Sequence, residues 1–115
     1  MITAEDINNA YASQAAAKHD HAEFNRLVID TKAEIARLRA QATAAGTLTG
    51  NNPDEREACA RTLFHNQYAA LATWEAKLLP TKLALELAEI EVERVRALLR
   101  LEEVLIGRTT HDQNH

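Results

Sequence analysis

Apolar residues recur at alternating spacings of three and four along two long stretches of this chain. That spacing is typical of α-helices that bury one face. The first stretch carries the stripe Ile7, Ala10, Gln14, Ala17, His21, Phe24, Val28, Thr31, Ile35, Leu38, Ala42 and Ala45. The second carries the stripe Phe64, Gln67, Leu71, Trp74, Leu78, Thr81, Leu85, Ala88, Val92, Val95, Leu99, Glu102 and Ile106. Two long helices that pack along each other are therefore predicted.

The first helix has a recognisable beginning and end in the sequence. Thr3 and Asp6 resemble a capping box, with Asp in the place of the usual Glu or Gln. No glycine or proline follows until Gly46, which stands where a glycine commonly ends a helix. The first helix is therefore predicted over residues 4–45 and a loop over residues 46–52.

The second helix is predicted over residues 53–106. Asn52 is a favourable N-cap residue, and Pro53 suits the first helical position. Pro80 lies inside this helix, where a proline kinks or breaks the rod. Because the stripe keeps its register across Pro80, we expect one kinked helix. Two helices that meet at Leu79–Thr81 are the alternative.

The expected fold is all-α: an antiparallel, coiled-coil-like hairpin of long helices over residues 1–107, followed by a polar tail at 108–115. Only 3 glycines and 2 prolines occur among the 115 residues, too few for the turns of a β-sandwich or the loops of an α/β fold. The hairpin core is predicted to combine Phe24, Val28, Ile35 and Leu38 with Leu71, Trp74 and Leu78.

The apolar content of the second helix exceeds what a hairpin can bury. Between Leu83 and Ile106, apolar residues spread around more than half of the helix circumference, and hydrophobic residues make up 46% of the chain. Assembly into a homo-oligomeric helical bundle, a dimer or larger, would cover this surplus. A different protein covering the same face is the alternative. The predicted oligomer interface consists of Val92, Val95, Leu99, Val104, Leu105 and Ile106.

Charge and cysteine content narrow the class of protein further. The net charge is −4, so no strong basic field favours nucleic acid or membranes. A single cysteine, Cys59, cannot form an internal disulfide bond, and no apolar run approaches the ~18 residues of a membrane span. These features predict a cytoplasmic protein without membrane contact.

No group of residues predicts catalysis, a cofactor or a metal site. His19 and His21 are two apart and point in different directions on a helix, and no base is placed beside Cys59. Four arginines could contact anions or nucleic acid: Arg56 and Arg61 near the start of the second helix, and Arg96 and Arg100 on one face near its end. The protein is therefore expected not to be an enzyme.

The loop and the residues after it form a recognisable pattern, G-x-N-x-x-E-R-x-A, made by Gly50, Asn52, Glu55, Arg56 and Ala58. This pattern resembles that of short, mostly uncharacterised helical proteins of double-stranded DNA bacteriophages and prophages. The leucine- and glutamate-rich stretch 84–96 is similar to the second helix of the same group, although Asn51 stands where those proteins tend to have Lys. The resemblance implies an accessory protein encoded near replication and recombination functions, and a host cell cytoplasm as its location.

These observations together predict a non-enzymatic, self-associating helical protein that acts by binding a macromolecule. In a bacteriophage it would support replication or recombination, or block a host defence protein. A nucleic-acid-binding helical protein is one alternative, and an oligomeric sponge for an anionic nucleotide signal is another.

Overall fold

A computed structural model describes the backbone of residues 1–113 and the side chains of residues 1–108. Three helices are present: α1 over Ala4–Ala45, α2 over Pro53–Leu63 and α3 over His65–Gln113. The described residues contain no β-strand. The all-α prediction is therefore confirmed, and α1 has the predicted bounds.

The ends of α1 are fixed by local hydrogen bonds. The Thr3 backbone N–H donates to Asp6 Oδ2 at 2.9 Å, and the Asp6 N–H donates to Thr3 Oγ1 at 3.0 Å, which completes the capping box. At the other end Gly46 has a φ of 77°, and the Thr47 N–H donates to the Ala42 carbonyl at 2.9 Å. This is a Schellman ending, which uses the left-handed conformation that glycine adopts without strain.

The beginning of α2 is also capped as predicted. The Glu55 N–H donates to the Asn52 side-chain oxygen at 2.9 Å, and Pro53 occupies the first turn. The Glu55 carboxylate accepts a 2.6 Å hydrogen bond from the backbone N–H of Asn51. Gly50 has a φ of 147°, and a Cβ there would lie 2.6 Å from the Arg56 nitrogen. Only glycine allows the loop to pass this close to the first turn of α2.

The single second helix predicted over residues 53–106 begins at Pro53 as predicted, but its continuity and its end are wrong. α2 ends at Leu63, and α3 begins at His65 after Phe64, whose ψ is 38°. No glycine or proline marks this break, so the sequence pattern did not predict it. At the other end α3 continues through Gly107 to Gln113, because one glycine costs a helix only about 1 kcal/mol. The predicted polar tail is thus helical as far as it is described, and residues 114–115 lie outside the description.

α3 also continues through Pro80, so the alternative of two helices that meet at Leu79–Thr81 is wrong. The preserved register of the stripe was the correct signal. A proline removes one hydrogen bond of the ladder, but packing on both sides of that position can hold the helix together.

The chain divides into two compact units, and α1 and α3 contribute residues to both. The first unit contains Met1–His21 and the segment that starts at Thr81. Its core is formed by Ala10, Val92 and Val95, with Ile2 and Ile7 packed against them.

Polar contacts in the first unit join residues in opposite chain order. The Ile2 backbone N–H donates to Glu102 Oε1 at 2.6 Å, and His21 Nδ1 lies 3.0 Å from Thr81 Oγ1. His21, Thr81 and Glu102 are three of the polar members of the two stripes, and these hydrogen bonds favour one register of the packed segments.

The second unit is Ala22–Pro80. Its buried residues are small or branched: Val28, Ile35, Ala42 and the fully buried Ala60. Of the seven residues predicted for the hairpin core, Val28 and Ile35 are buried, and the other five are half-buried. Phe24 and Trp74 are in ring contact, with centroids 6.1 Å apart.

Candidate functional site

The predicted oligomer interface is wrong for Val92 and Val95. Their side chains are 3% and 2% exposed, because both pack against Ala10 inside one chain. Leu99 is half-buried on the same side of α3. These three positions belong to the stripe that faces α1, and a side chain cannot be buried in the core and also cover a second copy.

The other three predicted interface residues are accessible. Val104, Leu105 and Ile106 are 54%, 51% and 61% exposed. Ile106 continues the core stripe of α3. However, α1 begins only at Ala4, and Ile2, which precedes the capping residue Thr3, already donates a hydrogen bond to Glu102. The stripe therefore extends past its intramolecular cover.

A second apolar stripe lies on the opposite side of α3 from the core stripe. Its members are spaced four and three apart without interruption, which keeps them on one helix face. We call this surface the outer face of α3 and define it as Leu83, Leu87, Ile90, Arg94, Ala97, Leu101 and Val104. The five large apolar members are 49–67% exposed, and Ala97 is exposed as well.

The predicted surplus of apolar residues on α3 is present, but Val92, Val95 and Leu99 of the predicted interface lie on the side that faces α1, whereas Val104 belongs to the outer face. The signal that identifies the correct side is the seven-residue recurrence of Leu83, Ile90, Ala97 and Val104. Both stripes on α3 have the periodicity of a buried helix face, so the sequence pattern fits either of them. Only tertiary packing decides which of them α1 covers.

Charged residues along one edge of the outer face change sign at its centre. Glu86 and Glu93 precede Arg94, and Arg100 follows it, so the edge is acidic towards the start of α3 and basic towards its end. Among residues 1–108, no ion pair includes Glu86, Glu93 or Arg100. Arg94 pairs with Glu91 of its own helix at 2.6 Å, which lowers the pKa of the Glu91 carboxyl.

A polar cluster joins all three helices in the second unit. Arg39 Nη1 donates to Glu57 Oε2 at 2.6 Å and to the Tyr68 hydroxyl at 2.9 Å. In one straight helix Glu57 and Tyr68 would have Cα atoms about 16 Å apart. The break at Phe64 allows both side chains to meet the same guanidinium nitrogen.

The same cluster accounts for Arg61. Its Nε donates to Glu57 at 3.2 Å, and its guanidinium carbon lies 4.7 Å from the centre of the Tyr68 ring. The hydrogen bond from Arg39 is the main cause that lowers the pKa of the Glu57 carboxyl, and this carboxylate in turn raises the pKa of Arg39. These side chains are engaged with one another, so the cluster fastens helices and offers little to an external anion.

The other predicted anion contacts are dispersed. Arg56 is exposed on the first turn of α2, beside the carboxylates of Asp54 and Glu55 that already complement the helix dipole. Arg96 and Arg100 are exposed on α3. No pair of these arginines is joined by a contact to a common residue in the described part of the chain.

His21 and Cys59 have ordinary surroundings. His21 contacts Thr81, and Cys59 Sγ lies 3.9 Å from the Thr47 carbonyl and 3.5 Å from the Thr49 nitrogen. No titratable base contacts this thiol in the part of the chain described. Within the same residues, no three His, Cys, Asp or Glu side chains are grouped closely enough to hold a metal ion.

An open groove of about 460 Å³ lies in the second unit and is lined by Asp30, Thr31, Glu34, Asn66, Gln67 and Ala70. Both of its carboxylates already form ion pairs, Asp30 with Arg26 and Glu34 with Arg37. The groove therefore presents amides and small side chains but no unsatisfied charge that would recognise a ligand.

None of the described helices has the length and apolar content needed to cross a membrane. Comparison of the chain with known protein families, with curated proteins and with solved structures finds no match. The outer face of α3 is thus the candidate functional surface on physical grounds alone.

Proposed function

We propose that this protein is a non-enzymatic helical module that associates with itself and acts by binding a macromolecule. The observation that carries this proposal is the outer face of α3, where five large apolar side chains stay about half exposed or more in a single chain. Contiguous apolar surface of this kind usually marks an interaction site in a water-exposed protein.

The energetics of covering this face are favourable. Fully burying a large apolar side chain contributes about 1.5–3 kcal/mol. Removing the exposed half of five such side chains from water, on each of two copies, is therefore worth on the order of 10 kcal/mol. That exceeds the lower part of the roughly 4–15 kcal/mol range that association costs in lost freedom of motion, so the net gain is positive only if the whole face is used.

The contacts within each unit also support an antiparallel arrangement of helices. Pairs such as Ile2 with Glu102 and His21 with Thr81 run in opposite chain order in the first unit. Phe24 with Trp74 and Arg39 with Tyr68 do so in the second. We infer that the fold is the antiparallel hairpin predicted from the sequence. A kink at Pro80 stays a prediction.

The loop pattern supplies a biological setting for this proposal. Its similarity to bacteriophage accessory proteins favours a cytoplasmic partner that takes part in replication, recombination or host defence. The alternative of an anionic nucleotide sponge is weakened, because Arg61 is already held by Glu57 and Tyr68.

Nucleic-acid binding is the second candidate function, and one observation favours it. Arg96 and Arg100 lie one turn apart, are exposed, and belong to none of the ion pairs among residues 1–108. Binding through them would weaken steeply with salt and would be abolished by Arg96→Glu with Arg100→Glu. Salt-independent binding, or binding by that double variant, would exclude this role.

Sedimentation velocity over a hundredfold range of protein concentration tests self-association directly. We expect the sedimentation coefficient to rise with concentration towards that of a defined oligomer. A coefficient of the monomer at every concentration would refute the proposal. In the same experiment a duplex DNA and an RNA of mixed sequence, added separately, distinguish a nucleic-acid partner from a protein partner.

A further inference from the structure

We propose that two copies of this chain pair through the outer faces of α3 in an antiparallel, two-fold symmetric register centred near Arg94. This inference rests on the proposed self-association and specifies its surface and geometry. In this register Leu83 lies opposite Leu101 of the second copy, Leu87 opposite Ala97, and Ile90 opposite Arg94. Symmetry repeats each pair, so six layers form and only the two central ones contain a charge.

The spacing on α3 fits a two-stranded seam. Residues 83, 87, 90, 94, 97, 101 and 104 alternate spacings of four and three, which is the repeat of a coiled-coil interface. In two of the six layers the small Ala97 faces the large Leu87 across the seam, and in the two outermost layers Leu83 faces Leu101. A helix that already uses one side for its own chain still has this full stripe available.

Charges along the edge of the seam select the antiparallel orientation. With the layers given above, Glu86 of each copy faces Arg100 of the other, and this attractive pair occurs twice. The two Glu93 side chains meet at the symmetry axis, where Arg94 of both copies lies within one residue of them. The acidic half of one edge thus covers the basic half of the other.

A parallel pairing of the same faces would place like charges together. Each Arg94 would then lie directly opposite its own copy inside the seam, where a charge without a partner is costly. Glu86 would face Glu91 of the second helix on both sides. The antiparallel register places Arg94 against Ile90 and replaces both Glu86–Glu91 contacts with Glu86–Arg100 pairs. Its like-charge contacts, Glu93 with Glu93 and Glu91 with Glu91, lie at the axis beside the Arg94 side chains of both copies.

The surroundings of the face disfavour a lipid surface. Glu86, Glu91 and Glu93 border or flank the apolar positions, and anionic membranes repel such an edge. A helix of a different protein would need the same sign reversal in the same place. A second copy supplies that reversal automatically, because two-fold symmetry brings the two halves of one edge together.

Charge reversal followed by charge exchange tests the register. Glu86→Arg places two arginines opposite each other at two symmetric positions, and we expect the dissociation constant of the dimer to rise at least about tenfold. The double variant Glu86→Arg with Arg100→Glu restores both pairs and should return the constant to within about threefold of the wild type. Asp20→Arg, an exposed position on α1, is the control for the same change in net charge.

Mixing two variants gives an independent readout of the same pairs. Glu86→Arg and Arg100→Glu each place like charges together in their own homodimers but form only opposite pairs with each other. An equimolar mixture is therefore expected to form mostly heterodimers, which native mass spectrometry separates by mass. A heterodimer fraction equal to or smaller than the fraction expected from random pairing would overturn the register.

Leu87→Asp tests the face itself. This side chain is 67% exposed in one chain, so the variant should keep its helical circular dichroism while losing the dimer. Ile29→Asp, at a 59% exposed position of α1, is the matched control and should still dimerise. A dimer that persists in Leu87→Asp would refute the proposed face while leaving self-association in place. A wild type that is monomeric at every concentration would refute self-association as well.

Discussion

Val95→Ala provides a direct measure of how much the thin core of the first unit contributes to stability. Val95 is 2% exposed and packs with Ala10 and Val92. The substitution removes two buried carbons, worth about 0.8 kcal/mol each. The surroundings relax only partly around the space left behind, so the total loss is about 2 kcal/mol. That is a large fraction of the stability of a small protein whose buried residues are all Ala, Val or Ile.

Urea unfolding followed by far-ultraviolet circular dichroism measures this loss. With a slope of about 1–2 kcal/mol per molar urea, the midpoint should fall by roughly 1–2 M while the slope stays unchanged. Ile29→Ala is the control, because Ile29 is 59% exposed and its substitution should change the free energy of unfolding by less than about 0.5 kcal/mol.

The same measurement at two protein concentrations separates a core role of Val95 from an interface role. If Val95 packs inside one chain, the difference in free energy between wild type and variant is independent of concentration. If Val95 instead formed the oligomer interface, the variant would shift the monomer–dimer equilibrium and the difference would grow with concentration. A variant as stable as Ile29→Ala would refute the packing described here.

Three further predictions concern the loop and the polar cluster. Gly50→Ala should lower the free energy of unfolding by about 1–3 kcal/mol, because a Cβ at a φ of 147° would clash with α2. Gly107→Ala, inside α3 with open space around it, should instead raise the melting temperature. Asn52→Ala should cost about 1 kcal/mol through the lost cap, while Asn51→Ala, which contributes only its backbone N–H, should be neutral in the same thermal melts. The pKa of the Glu57 carboxyl is lower in the folded chain than in the unfolded chain. The ion pair of Glu57 therefore stabilises the fold at a pH above the unfolded pKa, and this stabilisation disappears as the pH falls through the folded pKa. Glu57→Gln should therefore be less stable than the wild type near neutral pH, with a difference that shrinks in acid; a difference that stays constant with pH would contradict the ion pair.

Features that depend on neighbouring residues follow from the amino-acid sequence alone. The start of α1 follows from the reciprocal bonds of Thr3 and Asp6, and its end from the glycine conformation at Gly46. The periodic stripe from Phe64 to Glu102 was also readable as one helix face, and every member of it is buried or half-buried. Local hydrogen bonding and helical periodicity act over a few residues, so a sequence pattern is sufficient to predict them.

The break at Phe64 and the identity of the exposed face depend on long-range packing. The break has no local signal, and it coincides with the arrangement that brings Glu57 and Tyr68 to one nitrogen of Arg39. α3 carries two apolar stripes, and periodicity cannot say which of them α1 covers. The burial of Val95 and the exposure of Leu87 are consequences of long-range packing, in which residues about 85 positions apart exclude water from one side of a helix.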